Sequence, residues 1–96
     1  MENKKIFERV FDGNRDIGEV CDAVESKTGL KLMARNETDI VHGFVNGAYD
    51  SKTNKTTVSA FLYVDNENPT KTHKTTLAKP TAAQENNIKN ELEAVK

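Results

Sequence analysis

The chain has 96 residues, one cysteine and a formal net charge of −1. That length suits one domain, and the charge balance argues against a general polyanion binder, which carries a clear basic excess. A lone cysteine excludes an internal disulfide, and no apolar run approaches the roughly 18 residues of a spanning helix. The amino terminus alternates charged with apolar residues and has no signal-peptide core, so the expected location is the cytoplasm. The Asn36-Glu37-Thr38 and Asn54-Lys55-Thr56 triplets then read as chance matches to a glycosylation pattern. Heavy use of Asn, Lys and Thr, with Lys far above Arg, reads as codon bias from an AT-rich genome, such as that of a low-GC bacterium or its phage.

Lys4 to Asp12 carries apolar residues at Ile6, Phe7, Val10 and Phe11. Pairs four apart suit a helix with one apolar face, and a strand would place Glu8 between Ile6 and Val10. The helix is preferred, ended by Gly13 as a left-handed cap. Asn14 to Thr28 predicts a second helix. Asp16 and Glu19 resemble a capping box, and Ile17, Val20, Cys21 and Val24 follow the i, i+3, i+4, i+7 rule. Gly29 supplies the stop. Gly18 in the first turn costs up to ~1 kcal/mol relative to alanine.

Leu30 to Arg35 alternates Leu30, Leu32 and Ala34 with Lys31, Met33 and Arg35, the pattern of a half-buried strand. Asn36-Glu37 suits a tight turn. The stretch from Thr38 to Asp65 is the chain's densest apolar region. It predicts two antiparallel strands joined by the polar connector Ser51 to Lys55. Val58, Ala60, Leu62 and Val64 share one face of the second strand, which points to the core. In the first strand Gly43 and Gly47 share the Val41 face and leave room for a helix to sit close. Asn66 to Pro69 reads as a turn. Thr70 to Lys79 reads as an edge strand guarded by lysines. Thr81 to Gln84 forms a capping box for a last helix that reaches about Val95, with Ile88, Leu92 and Val95 on its stripe. The expected fold is α+β: two helices, a mainly antiparallel four-stranded meander, and a carboxy-terminal helix, in the order α-α-β-β-β-β-α.

Three surfaces stand out as candidates for function. The first is a mixed sheet face of His42, Phe44, Asn46, Phe61 and Tyr63. It could anchor a protein partner or stack a base, or else lie under the last helix as second-layer core. The second is an internal echo, Ser51–Ala60 against Thr70–Lys79. It could bring Lys52, Lys55, Lys71 and Lys74, with the hydroxyls of Thr53, Thr56, Thr72 and Thr75, to a phosphate. Neither copy has the glycines or helix start of a phosphate cradle, and solvated loops explain the lysines as well. The third is the stripe of the last helix, which could pair with another subunit but more often docks on its own sheet.

Catalytic signals are sparse. Cys21 lies in an apolar stripe and reads as a small buried hydrophobe. Cys21, His42 and His73 match no zinc spacing. Asp12, Asp16, Asp22 and Glu25 are spaced as solvated helix carboxylates. No cofactor or metal is expected. The sequence therefore points to a small non-enzymatic protein-binding module, of a kind that a phage or mobile element uses to inhibit or retune a host enzyme or defence component. A second copy of the chain is a further candidate partner. The alternative is a nucleic-acid or nucleotide binder in which Lys31, Arg35, Lys52, Lys55, Lys71 and Lys74 converge beside the aromatics.

Overall fold

The computed structural model describes residues 2–36, 38–65 and 76–96. The described elements are β1 (Asn3–Asp12), α1 (Ile17–Thr28), β2 (Ile40–Val41), β3 (Gly43–Asp50), β4 (Lys55–Tyr63), β5 (Thr76–Leu77) and α2 (Ala82–Ala94). The α+β class and the mainly antiparallel sheet are as expected, but the described helices number two, not three, and the strands are arranged differently. A three-stranded antiparallel sheet has β4 in the centre, flanked by β1 and β3. A second, two-stranded parallel sheet pairs β2 with β5.

The main correction is at residues 4–12, which form strand β1 and not a helix. The physical reason is a bulge. Lys5 pairs with Phe61 and Phe7 with Ala60, so Ile6 is an extra residue in the ladder. A bulge shifts the phase of every later side chain by one. Phe7 and Phe11 then fall on the side of Ala60 and Thr56, while Glu8 and Val10 fall opposite, beside Ser59 and Thr57. Ile6 and Phe7 both pack against the core, Phe11 is buried and Val10 is exposed. The apolar pairs four apart are thus a phase-shifted strand. Gly13 is left-handed, with φ of 82°, but it ends a strand. Its N–H donates to the Asn54 carbonyl at 2.7 Å, next to the β3–β4 hairpin.

The second correction is at Leu30 to Arg35, which is irregular loop and not a strand. Its alternation is real at the side chains: Leu32 is buried and Leu30 packs on the core. Its backbone, however, bonds to carboxylates instead of a ladder. Leu32 N donates to Glu25 Oε2 at 3.1 Å. Arg35 N and Asn36 N both donate to Asp39 Oδ2, at 2.8 and 2.9 Å. The expected Asn66–Pro69 turn and most of the expected Thr70–Lys79 edge strand lie outside the described residues, as does Glu37 of the Asn36-Glu37 turn. Of the edge strand's described residues, 76–79, only Thr76–Leu77 are strand, and they pair parallel with β2 and not antiparallel in a meander.

The other two expected helices form, α1 starting at Ile17 and not at Asn14. Asp16 caps α1 by accepting from Gly18 N, in place of the capping box expected with Glu19, and Gly29 closes it in the left-handed conformation. Thr81 and Gln84 make both bonds of a capping box at the start of α2. The helices cover one face of the main sheet. Val20, Cys21, Val24, Ile88 and Leu92 meet Ala60 and Leu62 there, with Leu32 closing one end. At Gly47 the start of α1 comes close to β3. A Cβ built on it would stand 2.4 Å from Ile17 Cδ1 and 2.6 Å from Ile17 Cγ1, so the first residue of α1 fills the space a side chain would take.

The carboxy-terminal end of α2 has no basic residue in its last turn. Two arginines from elsewhere in the chain serve it. Arg9 donates to the Val95 carbonyl at 2.8 Å, and Arg15 donates to the Lys96 carbonyl. Both guanidinium groups lie over the buried Phe11 ring, at 4.5 and 4.8 Å from its centroid. Helix carbonyls left without intrahelical partners favour cations, so this pair ties α2 to β1 and to the β1–α1 connection.

Candidate functional site: the outer sheet face

The face of the main sheet turned away from the helices is set by the β3–β4 register. Phe44 stands opposite Phe61, Asn46 opposite Ser59, and Ala48 opposite Thr57. On the other side of β4, Lys5, Glu8 and Val10 complete the same rows. Among the described residues no helix lies on this face, because the buried faces of α1 and α2 are turned to Ala60 and Leu62. The alternative reading, in which the last helix covers these aromatics, does not hold.

The aromatic end is a packed cluster. Phe44 and Phe61 stack with centroids 4.9 Å apart and an interplanar angle of 17°. Tyr63 leans on Phe44 at 6.0 Å and 46°. All three rings are half-buried. Stacking of this kind fixes ring orientation. Further along, Glu8 accepts from Lys5 at 2.8 Å and from Ser59 at 3.3 Å. The Lys5 ammonium, first by its hydrogen bond, holds the Glu8 carboxyl below the usual range. The bulge makes this pair possible, since residues three apart on a regular strand lie on opposite faces. Val10 adds an exposed aliphatic side chain, and Asp12 with Lys55 closes the hairpin end at 2.5 Å.

Of the five residues expected on this face, Phe44, Asn46, Phe61 and Tyr63 come together, with Asn46 exposed next to Ser59. His42 stands apart in its bonding. It lies between β2 and β3, and its Nδ1 donates to the Ala78 carbonyl at 2.9 Å, which ties the segment after β5 to the sheet. Lys5, Glu8 and Val10 were missed, and only the bulge, which leaves no clear mark in the sequence, would have placed them there.

The basic constellation is not assembled among the described residues. Lys31 faces Asp39 at 3.6 Å, Arg35 bonds Asp22 and Glu25, and Lys55 bonds Asp12. Lys52 sits in the hairpin loop, where its N–H donates to Asp50. Thr56 is turned inward, donating to the Gly13 carbonyl and accepting from Arg15 N. Lys71 and Lys74, with Thr72, Thr75 and His73, lie outside the described residues.

The remaining chemical groups have structural partners. Cys21 is fully buried, and burial pushes its thiol up to about 11, so it stays protonated and unreactive at neutral pH. Asp16 is a helix cap, and Asp22 and Glu25 hold Arg35. Asp39 is nearly buried. Two backbone N–H groups, from Arg35 and then Asn36, hold its carboxyl below the usual range, with Lys31 assisting. Two shallow clefts of about 350 Å³ each flank the fold. One lies between Arg15, Glu19 and Val95, the other between Lys31, Asp39, Ile40 and His42. Among the described residues no group of histidine, cysteine and carboxylate side chains could hold a metal ion. Comparison with protein-family models, with curated proteins and with solved structures finds no match.

Proposed function

We propose that the protein is a non-enzymatic binding module that docks on a larger protein through its outer sheet face. The observation that supports this reading is the stacked Phe44–Phe61 pair with Tyr63 beside it, on the face that neither helix covers. Aromatic anchors flanked by polar groups are the usual source of affinity in protein interfaces, and Asn46, Ser59 and the Lys5–Glu8 pair supply such a rim. The AT-rich composition favours a phage or mobile-element origin, and the partner is then a host enzyme or defence component that the module inhibits or retunes. The pairing of Lys31, Arg35 and Lys55 with carboxylates weighs against the nucleic-acid reading.

The test begins with native mass spectrometry of the protein purified gently from its source cell, to identify what travels with it. The partner is then titrated with the wild-type chain and with Phe61→Ala and Tyr63→Ala. Truncating an anchor residue costs about 2 kcal/mol of binding, close to a thirtyfold rise in Kd. Unchanged affinity in both variants removes this face. A co-purifying nucleotide or nucleic acid, with affinity that falls steeply as salt rises, replaces the protein reading with the nucleic-acid one.

A further inference from the structure

The two long edges of the main sheet are built differently. The β1 edge has the guards natural sheets use against strand addition: Lys4, Lys5, Glu8 and Arg9, and a bulge after Lys5. The β3 edge has none. Gly43 to Tyr49 contains no charge and no proline, and its register against β4 is regular throughout. Just upstream of β3, in the separate two-stranded sheet, β2 already takes a strand. Thr76 N donates to the Asp39 carbonyl and Ala78 N to the Val41 carbonyl, at 3.0 Å each. That pairing ends at Val41, and among the described residues no strand continues it along β3.

The backbone of β3 fixes what could pair there. The His42 carbonyl accepts from Tyr63 N, while the His42 N–H donates to the Lys31 carbonyl, so the bonds toward β4 begin at the His42 carbonyl. By the alternation of an antiparallel ladder, Phe44, Asn46 and Ala48 also bond toward β4, and Gly43, Val45, Gly47 and Tyr49 turn their N–H and C=O groups outward. Gly43 lies next to the β2–β5 pairing, and the other three are centred on Gly47. A two-fold axis there sets Gly47 opposite its own copy and Val45 opposite Tyr49 in both directions. Every outward group of the three residues then gains a partner. No like charges face each other, because Asp50, the one charged residue of β3, falls opposite Phe44. The Tyr49 ring, 44% exposed in the single chain, comes to lie beside Val45 of the other copy. A two-fold contact needs this kind of self-complementary patch.

We infer that β3 pairs antiparallel with β3 of a second copy of this chain, about a two-fold axis at Gly47, to give a continuous six-stranded sheet. The pairing does not depend on the proposed binding role of the outer face.

Sedimentation equilibrium of the full chain up to millimolar concentration tests it, with Tyr49→Pro, Tyr49→Lys and Phe61→Ala beside the wild type. Proline at 49 removes an outward donor and none that bonds to β4. The wild type and Phe61→Ala are expected at twice the 10.7 kDa chain mass, and both Tyr49 variants at the single mass with unchanged circular dichroism. Amide exchange at Val45, Gly47 and Tyr49 slows as the wild-type concentration rises. If Tyr49→Pro fails to fold, Tyr49→Lys decides. A wild type that stays at the single mass throughout overturns the inference, and so does a dimer that survives the Tyr49 variants or is lost only in Phe61→Ala. A dimer that persists in Phe61→Ala while partner binding is lost keeps the edge pairing and the face separate.

Discussion

Gly47→Ala tests the packing of α1 on the sheet at one point. The added methyl would lie 2.4 Å from Ile17 Cδ1 and 2.6 Å from Cγ1, where ordinary contacts begin near 3.4 Å. Cδ1 is a chain end and can swing away. Cγ1 cannot clear the methyl without a new rotamer or a shift of the first turn of α1. Overpacking of this kind costs about 1–3 kcal/mol. Against that, replacing glycine by alanine restricts the unfolded chain and recovers about 0.4–1 kcal/mol. The net expectation is a loss of about 1–2 kcal/mol, which lowers Tm by roughly 4–8 °C per kcal/mol in a domain of this size. Chemical denaturation at one fixed protein concentration measures it. A double-mutant cycle with Ile17→Ala isolates the cause. With Ile17 truncated, the space above residue 47 opens, and Gly47→Ala becomes neutral or mildly stabilising. The coupling energy should therefore be about as large as the single-mutant loss. If Gly47→Ala is neutral in the parent chain, or equally harmful with Ile17 truncated, the close approach of α1 to β3 is wrong.

Other parts of the fold give further expectations. Thr81→Ala removes one bond of the α2 capping box and should cost about 1 kcal/mol in the same denaturation assay. Cys21, with its buried thiol pushed up to about 11, should resist a water-soluble thiol reagent at pH 8 in the native protein and react fully in denaturant. The Asp39 carboxyl lies below its unfolded value, so the stability it contributes is complete above that value, near 3.9, and is lost as pH falls through the folded one. Asp39→Asn should flatten the acid limb of the stability–pH curve, and an unchanged limb would show that Asp39 does not organise the 30–39 loop.

What the sequence displayed clearly was every element whose signal is local. The start and stop of α1 are written in Asp16 and Gly29, those of α2 in Thr81, Gln84 and the stripe through Ile88 and Leu92, and the hairpin in the alternation of β4. The close fit at Gly47 was also legible, because a strand glycine on the core face needs a neighbour to explain it, but Gly43, read the same way, sits against Phe61 and Leu62 of β4 and not against a helix. The identity of β1 was hidden, since one extra residue at Ile6 turns a period of two into apparent pairs four apart. The 30–35 segment alternates like a strand but finds its backbone partners in Glu25 and Asp39, a side-chain solution that periodicity does not encode. The same limit hid the Arg9–Phe11–Arg15 stack, which joins β1 and the β1–α1 connection to carbonyls more than 80 positions away. At the candidate site the aromatic pairs followed from strand register alone. Lys5, Glu8 and Val10 required the bulge.

We propose the stacked aromatics of the outer face as the contact surface for a protein partner. Titration of the isolated partner with wild type and with Phe61→Ala tests it most directly, with circular dichroism and amide exchange confirming that the variant keeps the fold. The expected result is a Kd raised roughly thirtyfold, about 2 kcal/mol, with the exchange of the Val58, Ala60 and Leu62 amides the same as in the wild type. Wild-type affinity in a folded Phe61→Ala would contradict it.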